Sequence, residues 1–574
     1  MNNVQIAWFL EEIADLLEIK GESPFKVRAY RKGAVALEHL REDVATLYRE
    51  GRLTQVPGIG GALAKKIGEL LETGKLAYLE NLRQEIPESL REMLAIPGVG
   101  PRTIKTIYDH LQIKDLEALE RAAKEKQIRR LPGLGNKTEV NILRGIELLR
   151  GFRGKVLLGI GLAAAEDLVE SLRAVPGAQA IATGGSIRRG VEMVGDIDLV
   201  GAALHPGEVI NTFCSHPLVK QVLERGPAWA RVQTWVGLEA DLWMVPKDQF
   251  VPTWLRVTGS KRHYQLLVSL AREQGRGDLI RRGSEGFEEF LNLGSESAIY
   301  QALGLQYIPP ELREAKGEIE AASRGDLPRL LEEGDICGDL HIHSHWSDGI
   351  SSIQQLAEAA RERGYQFIAI TDHSRSLGVA GGLSIEKWYQ QKEEIQRLNQ
   401  ELDGFRILHG IEVDILRDGQ LDYPDEVLKD ADVVVASIHS GFQQDQASMT
   451  KRLEQAMLNP HVDIIAHPTG RILGRRRAYE VDMERVLELA QKTNTALEIN
   501  SSPDRLDLNS EYVRAAKELG IKIAINTDAH DAARLEDIRF GVITGRRGWL
   551  EKDQVINAWN LSDLEVWLDA HKRS

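Results

Sequence analysis

The sequence predicts a multidomain protein built from three fold types in series: an all-α N-terminal region, a mixed α/β centre and a C-terminal (β/α)7 barrel. Three observations carry that prediction. The chain has 574 residues, more than one hydrophobic core accommodates, so two to four domains are expected. Residues 1–150 read as helical throughout, and Pro-Gly-apolar-Gly recurs in them three times. Beyond residue 335, seven apolar runs alternate with segments of helical period such as SSIQQLAEAARERG and MERVLELAQKTN, which favours a parallel sheet closing into a barrel.

Composition narrows the class. A hydrophobic content of 43% and a charged content of 28% fit a soluble globular protein. No apolar run reaches roughly 18 residues, which argues against a membrane span. The opening MNNVQIAWFLEEIADLLEIK reads as an acidic amphipathic helix without a basic leader, so no signal peptide is expected. Two cysteines, Cys214 and Cys337, give no disulfide framework and fit a reducing, cytoplasmic setting. The net charge of −14 is uneven: residues 1–150 hold 24 Lys+Arg against 22 Asp+Glu, net +2, and the rest carries −16. Any nucleic-acid footprint must therefore be local.

The three N-terminal repeats are VPGIGGALAKKI (56–67), IPGVGPRTIKTI (96–107) and LPGLGNKTEVNIL (131–143). Gly58 and Gly60, Gly98 and Gly100, and Gly133 and Gly135 permit a tight turn before a helix whose first N–H groups and positive dipole end suit a phosphate oxygen. A single copy reads equally well as a Gly-capped helical turn. Three copies in one frame resemble helix-hairpin-helix motifs, which grip the DNA backbone without reading bases.

In the centre, IATGGSIRRG turns from strand to Gly-rich loop, and MVGDIDLVGAAL and VGLEADLWMVP read as strands carrying carboxylates. Asp196 and Asp198, two apart, face one side of a strand. With Asp241 from a neighbouring strand they can hold two Mg²⁺ or Mn²⁺ ions about 3.5–4 Å apart. A carboxylate in an apolar strand is costly unless paired or metal-bound, although each one alone also reads as a solvated edge residue. Gly185 lets backbone approach a triphosphate, with Ser186 and Arg189 adding donors and charge.

The seven C-terminal runs lie near 335–343, 366–373, 405–414, 432–439, 462–467, 495–500 and 521–528. Six of them end in or carry metal-ligand residue types: His341 and His343 with Asp348 in the loop, His373, Glu412, His439, His467, and Asp528 with His530. Functional residues of such barrels sit at the C-terminal ends of strands. His341 and His343, two apart, point to one side. Mixed nitrogen and carboxylate donors suit Zn²⁺, Mn²⁺ or Fe, and nine exceed the needs of one ion, so two or three are expected. Satisfied core histidines explain one or two of these positions but not nine. His345, Arg471 and Arg505 flank the set; the arginines read either as phosphate clamps or as structural residues.

The segments DLHIHSHWSDG, ITDHS, GIEVD, SIHSG, AHPTGR and NTDAH resemble the PHP (polymerase and histidinol phosphatase) superfamily, whose members are distorted seven-stranded barrels with a trinuclear metal site. By motif the same nine residues would be its ligands. GGSIRRG with GDIDLV resembles the nucleotidyltransferase palm of family X DNA polymerases, and TGSKRH (258–263) resembles that family's turn beside the nascent base pair, implicating Thr258, Gly259 and Ser260 in dNTP binding. FKVRAYRKGA and the first hairpin resemble the N-terminal lyase domain. There Lys66, in the turn after GIGG, matches the Schiff-base lysine, though it also reads as a plain helix lysine.

The order of parts resembles bacterial family X polymerases with a PHP domain. It implies a lyase-like domain (1–80), a fingers-like hairpin domain (81–152), a palm (153–246), a thumb-like nucleotide-selection domain (247–316), a linker (317–334) and a PHP domain (335–574). The chain departs from that family at Arg256 and Val257, where an aromatic pair is usual, at Tyr264 in place of Asn, and at Glu239. The resemblance implies a base-excision-repair enzyme that fills gaps with dNTPs and hydrolyses DNA as a 3′–5′ exonuclease. Abasic-site cleavage and 3′-phosphatase action would accompany these. Its partners would be gapped or 3′-ended DNA, with no membrane, as a nucleoid-associated monomer. Two rivals stand beside it: a PHP nuclease whose palm is a weak or inactive DNA-binding scaffold, and a non-enzymatic repair accessory module.

Overall fold

The structure, a computed structural model, describes residues 3–38, 40, 42, 44–87, 90, 93–94, 96, 99–152, 154–282 and 288–573. Met1–Arg153 forms one compact unit, and Gly154–Leu473 with Arg477–Ser574 forms another. Among the described residues no helix is long and apolar enough to cross a membrane.

The first unit is helical, as its periodicity predicts. Helices Asn3–Lys20, Pro24–Glu38, Gly61–Thr73, Pro101–Leu111 and Asn136–Phe152 are its longest elements. One core runs through it, including Leu10, Ile13, Leu37, Ile67, Leu70, Ile104 and Ile142. Gly58 turns the chain with a φ of +99°, and a Cβ there would lie 3.2 Å from the Lys32 carbonyl oxygen, so only glycine fits without displacement.

The second unit opens with a five-stranded sheet, the palm. Its strands are β1 (Ala178–Thr183), β2 (Asp196–Ala203), β3 (Val219–Arg225), β4 (Trp229–Thr234) and β5 (Glu239–Met244), in the spatial order β1-β2-β5-β4-β3. The register decides the site. Parallel pairing sets Asp196 beside Glu239 and Asp198 beside Asp241. Antiparallel pairing of β4 with β5 sets Arg231 beside Asp241. Side chains two apart share a face, so Arg231, Asp241, Asp198, Asp196 and Glu239 stand on one side of the sheet.

Helices Phe250–Thr258 and Lys261–Glu273 begin the thumb-like part. The stretch 317–334, expected as a linker, is packed instead. It holds the helix Glu318–Arg324, and Ile319, Ala321, Ala322 and Leu330 join the core of the thumb-like part. Its charge and Pro content hid this, because the buried face is only a few residues wide.

The barrel strands are β6 (Gly338–Ile342), β7 (Phe367–Ile370), β8 (Arg406–Asp414), β9 (Val433–Ser437), β10 (Ile464–Ile465), β11 (Ala496–Asn500) and β12 (Ile523–Asn526). They pair in sequence order, all parallel. Burial on both faces explains their continuous apolar runs. The ring nearly closes between β12 and β6 through an Ile342–Ala529 bridge, with the His343 N–H donating to the Ala529 carbonyl at 2.9 Å. Side chains complete the seam: Leu340 N–H donates to Asn526 Oδ1 at 3.1 Å, and Thr527 Oγ1 donates to Asp339 at 2.6 Å.

Candidate functional site

All nine expected barrel residues converge at the C-terminal strand ends. Three groups of at least three donor residues have ligand atoms mutually within 4.8 Å: His343, Asp348, His373 and His530; His341, His343 and Asp528; and His373, Glu412 and His439. His467 completes the set, with its Nε2 3.3 Å from Glu412 Oε1. Glu412 is 1% exposed, and neither of its oxygens accepts a hydrogen bond of normal geometry. Yet nitrogens of His341, His343, His373, His439 and His467 lie 2.6–3.6 Å from them. Two donors sharing one tetrahedral ion stand roughly 3.4 Å apart, and the 3.3–3.6 Å separations of His341, His343, His439 and His467 match that spacing. The donor set therefore fits a multinuclear centre. Asp348 and His530, with side chains 30% and 36% exposed, form its open rim.

Around the donors lies a set of buried carboxylates that the sequence reading did not single out. Glu498 Oε1 lies 2.7 Å from His341 Nδ1, and its other oxygen accepts the His467 backbone N–H at 2.8 Å. Asp414 lies 2.9 Å from His439 Nδ1. Asp372 accepts the Ser344 N–H at 2.8 Å and Asp339 accepts the His341 N–H at 3.1 Å. Ring partners such as Glu498 and Asp414 fix orientation and tautomer, while Asp372 and Asp339 hold the backbone beside the ligands. A signal was present: each sits one or two residues from a ligand type or strand end, as in DLHIH, TDH, EVD and LEIN. β11, which had no ligand in the sequence reading, contributes through Glu498.

Proton preferences differ across the cluster. Burial, with His373 and His530 alongside, pushes His343 down to about 3. Burial, with Arg505 nearby, lowers His467 to about 4. These neutral rings are in the ligating form. Burial opposes charge on His373 as well, but Glu412 and Asp348 lift it to about 10. Against the effect of burial, Glu412 is held well below the carboxylate range by His373, His439 and His341, and Asp528 by His341, His343 and Arg505.

The flanking residues separate. Arg505 Nε lies 3.7 Å from Asp528 Oδ2, at the centre's edge. Arg471 is committed elsewhere: it pairs with Glu192 of the palm at 2.6 Å and donates to the Arg505 carbonyl at 3.0 Å and to the Leu506 carbonyl. His345 is exposed.

In the palm, Asp196, Asp198 and Asp241 share a face but are not among the compact donor groups of the described residues. Arg231 grips Asp241 with both Nε and Nη2, at 2.7 and 2.8 Å. Burial, and then Asp196 and Asp241, push Asp198 up to about 7. Burial and Asp241 also raise Asp196. Repelling carboxylates turned toward one another form a seat for cations, so the residues fit divalent ions. Gly185, with a φ of +58°, lies so close to Asp198 that a Cβ would overlap its Oδ2. The Ser186 hydroxyl is buried without a partner, which suits a ligand oxygen.

The other expected nucleotide contacts are tied into the scaffold. Arg189 donates to Glu314 and to the Thr258 carbonyl, both at 2.9 Å. Thr258 is buried, and its hydroxyl accepts from Arg188 at 2.7 Å. Gly259 is the extended junction between the two thumb helices, and Ser260 caps the second by accepting the His263 N–H. Arg188 also forms a two-pronged pair with Glu296, which Arg313 shares. The departures are absorbed by packing. Tyr264 is buried and donates to the Glu288 carbonyl at 3.0 Å, and Arg256 Nε lies 3.3 Å from Glu289.

In the first unit, Lys66 lies after the GIGG segment, within the helix Gly61–Thr73. Its Nζ stands 4.9 Å from the Tyr78 ring centroid and 6.0 Å from that of Tyr30. Gly60 and Gly100 cap their helices in extended conformation, and Gly133 turns with a φ of +73°. Space is open where a Cβ would stand at Gly60, Gly100, Gly133 and Gly135, so these turns admit close approach. Gly98 lies outside the described residues.

Comparison with known proteins agrees with this layout. A helix-hairpin-helix domain profile matches residues 1–76, and a SAM-like helix-hairpin-helix tandem profile matches 90–147. A DNA polymerase beta thumb profile matches 253–314, and a PHP domain profile matches 339–502. The chain is 42% identical over 572 residues to the DNA polymerase/3′-5′ exonuclease PolX of Bacillus subtilis (strain 168), covering 99% of each. It is 33% identical over 249 residues to a probable phosphatase of Thermoanaerobacter sp. (strain X514), covering 41% of this chain and 95% of that one.

Proposed function

The chain belongs to the family X DNA polymerases that carry a C-terminal PHP domain, and from that premise we propose that it fills short DNA gaps in the palm and hydrolyses DNA from 3′ ends in the barrel. The observation that carries the reading is the convergence of the nine barrel donors on a chain that also presents Asp196, Asp198 and Asp241 on one palm face. Base excision repair is the process that needs both activities at one nick.

In the palm, Asp196, Asp198 and Asp241 would hold Mg²⁺ or Mn²⁺. Such ions lower the pKa of a primer 3′-hydroxyl and neutralise a triphosphate. Ser186 and the Gly185 backbone would face the triphosphate, with Arg189 adding positive charge beside it; Thr258, Gly259 and Ser260 would shape the wall behind the base. In the barrel, His341, His343, Asp348, His373, Glu412, His439, His467, Asp528 and His530 would hold two or three Zn²⁺, Mn²⁺ or Fe ions. Arg505 would meet a phosphate oxygen at the rim. The hairpin turns at Gly58, Gly60, Gly98, Gly100, Gly133 and Gly135 would bind backbone phosphates, and Lys66 would supply an amine for a lyase step. Cleavage at abasic sites and removal of 3′ phosphates would use the same barrel donors, in a monomer associated with the nucleoid.

Incubation with gapped DNA, dNTPs and Mn²⁺, with elemental analysis of the purified protein, tests this. Extension plus shortening from 3′ ends is expected, and absence of both overturns it. The second reading, a nuclease with a weak palm, is favoured by Arg231 on Asp241 and by the burial of Tyr264. It predicts shortening without extension.

A further inference from the structure

The turn that carries Arg505 is shaped by the palm rather than by the barrel alone. Arg505 reaches toward Asp528. Its neighbour Leu506, with a φ of +45°, is fully buried, and its side chain belongs to the palm's apolar core together with Leu473 and Phe540. A branched residue holds that conformation only where its surroundings over-determine it. The palm helix Leu158–Arg173 presses on the same turn: a Cβ at Gly159 would lie 3.1 Å from Pro503 Cβ. A polar link also ties the turn to the palm. The Arg471 guanidinium spans Glu192, four residues before Asp196, and the carbonyls of Arg505 and Leu506.

We propose that Glu192 of the palm is a positioning residue of the hydrolytic centre, holding Arg505 over the barrel mouth through Arg471, so that the palm forms part of the phosphate-binding wall of the nuclease. Glu192 fixes the guanidinium plane by two parallel hydrogen bonds, and the same plane then dictates where the two carbonyls of the turn lie. The proposal rests on the reading of the barrel as a phosphodiesterase.

The test uses the full chain with Mn²⁺ and bis(p-nitrophenyl) phosphate, a probe too small to need the DNA-binding elements. Glu192→Gln is expected to raise KM about tenfold, the value of one charge-assisted contact misplaced, with kcat, metal content and melting temperature unchanged. Arg505→Ala is expected to raise KM similarly, and adding Glu192→Gln to it should change KM no further. An unchanged KM in Glu192→Gln overturns the proposal. So does an equal KM rise in the Arg505→Ala background, or a rise that tracks lost metal or lost stability. Failure of the phosphodiesterase reading looks different: the wild-type chain itself would not hydrolyse the probe, or hydrolysis would survive His343→Ala.

Discussion

In the barrel, Glu412 is ringed by five imidazole nitrogens whose own partners, Glu498 and Asp414 among them, are buried carboxylates. In the palm, Asp241 is held by Arg231, while burial with Asp241 raises the proton affinity of Asp196, and burial with Asp196 and Asp241 raises that of Asp198. Both places gather acidic and basic groups at strand ends, yet one is fully braced and the other is partly committed to an internal arginine. The difference teaches where preorganisation resides. A donor set fixed from behind is ready before its ions arrive, whereas the palm set must exchange an ion pair and shed protons when ions bind.

The sharpest way to break the comparison is to remove one donor from each place. His343→Ala should lower 3′-end hydrolysis about a thousandfold while leaving gap filling within about twofold, and Asp198→Ala should do the reverse. Paired exonuclease and gap-extension assays check this, and a variant that loses both would mean the two places work as one. A smaller effect is expected at the glycine behind Asp198. Gly185→Ala forces a Cβ into Asp198 and a left-handed backbone on alanine, and gap filling should fall on the order of 100-fold with hydrolysis spared.

Proton competition comes next. Asp198, pushed up to about 7, ligates only when ionised, so gap filling at limiting Mg²⁺ should rise with pH through that value. Below the limb the rate should drop roughly tenfold per pH unit, and saturating Mg²⁺ should move the limb to lower pH. A pH–rate profile at two Mg²⁺ concentrations reads it, and a limb indifferent to Mg²⁺ would contradict it. The smallest effect is that of the arginine. Arg231→Gln frees Asp241 and should lower the Mg²⁺ concentration for half-maximal gap filling by about threefold, in keeping with a pair only partly shielded from water. A higher requirement would mean that Arg231 helps seat the ion.

Legibility in the sequence follows the same divide. The seven-stranded barrel and its nine donors could be read because six of the seven apolar runs end in or carry a ligand type, a local pattern that survives without knowing the neighbours. Asp196, Asp198 and Asp241 were legible for the same reason. The grip of Arg231 on Asp241 was not, since it depends on β4 pairing with β5 in one register. The burial of Thr258 and Tyr264 depends on strands and helices far along the chain, such as Glu288–Phe290. The segment 317–334 reads as a connector because its polar residues outnumber the few apolar ones that pack.

Leu473, Leu506 and Phe540 leave the barrel and finish the palm's apolar core. Severing the chain before residue 335 would strip that cover and place three large hydrocarbon side chains in water, close together on one face. The excised barrel should then self-associate, or need polar replacements at those positions to stay dispersed. Those three positions mark where a free-standing barrel and a barrel fused to a polymerase have to part company in composition.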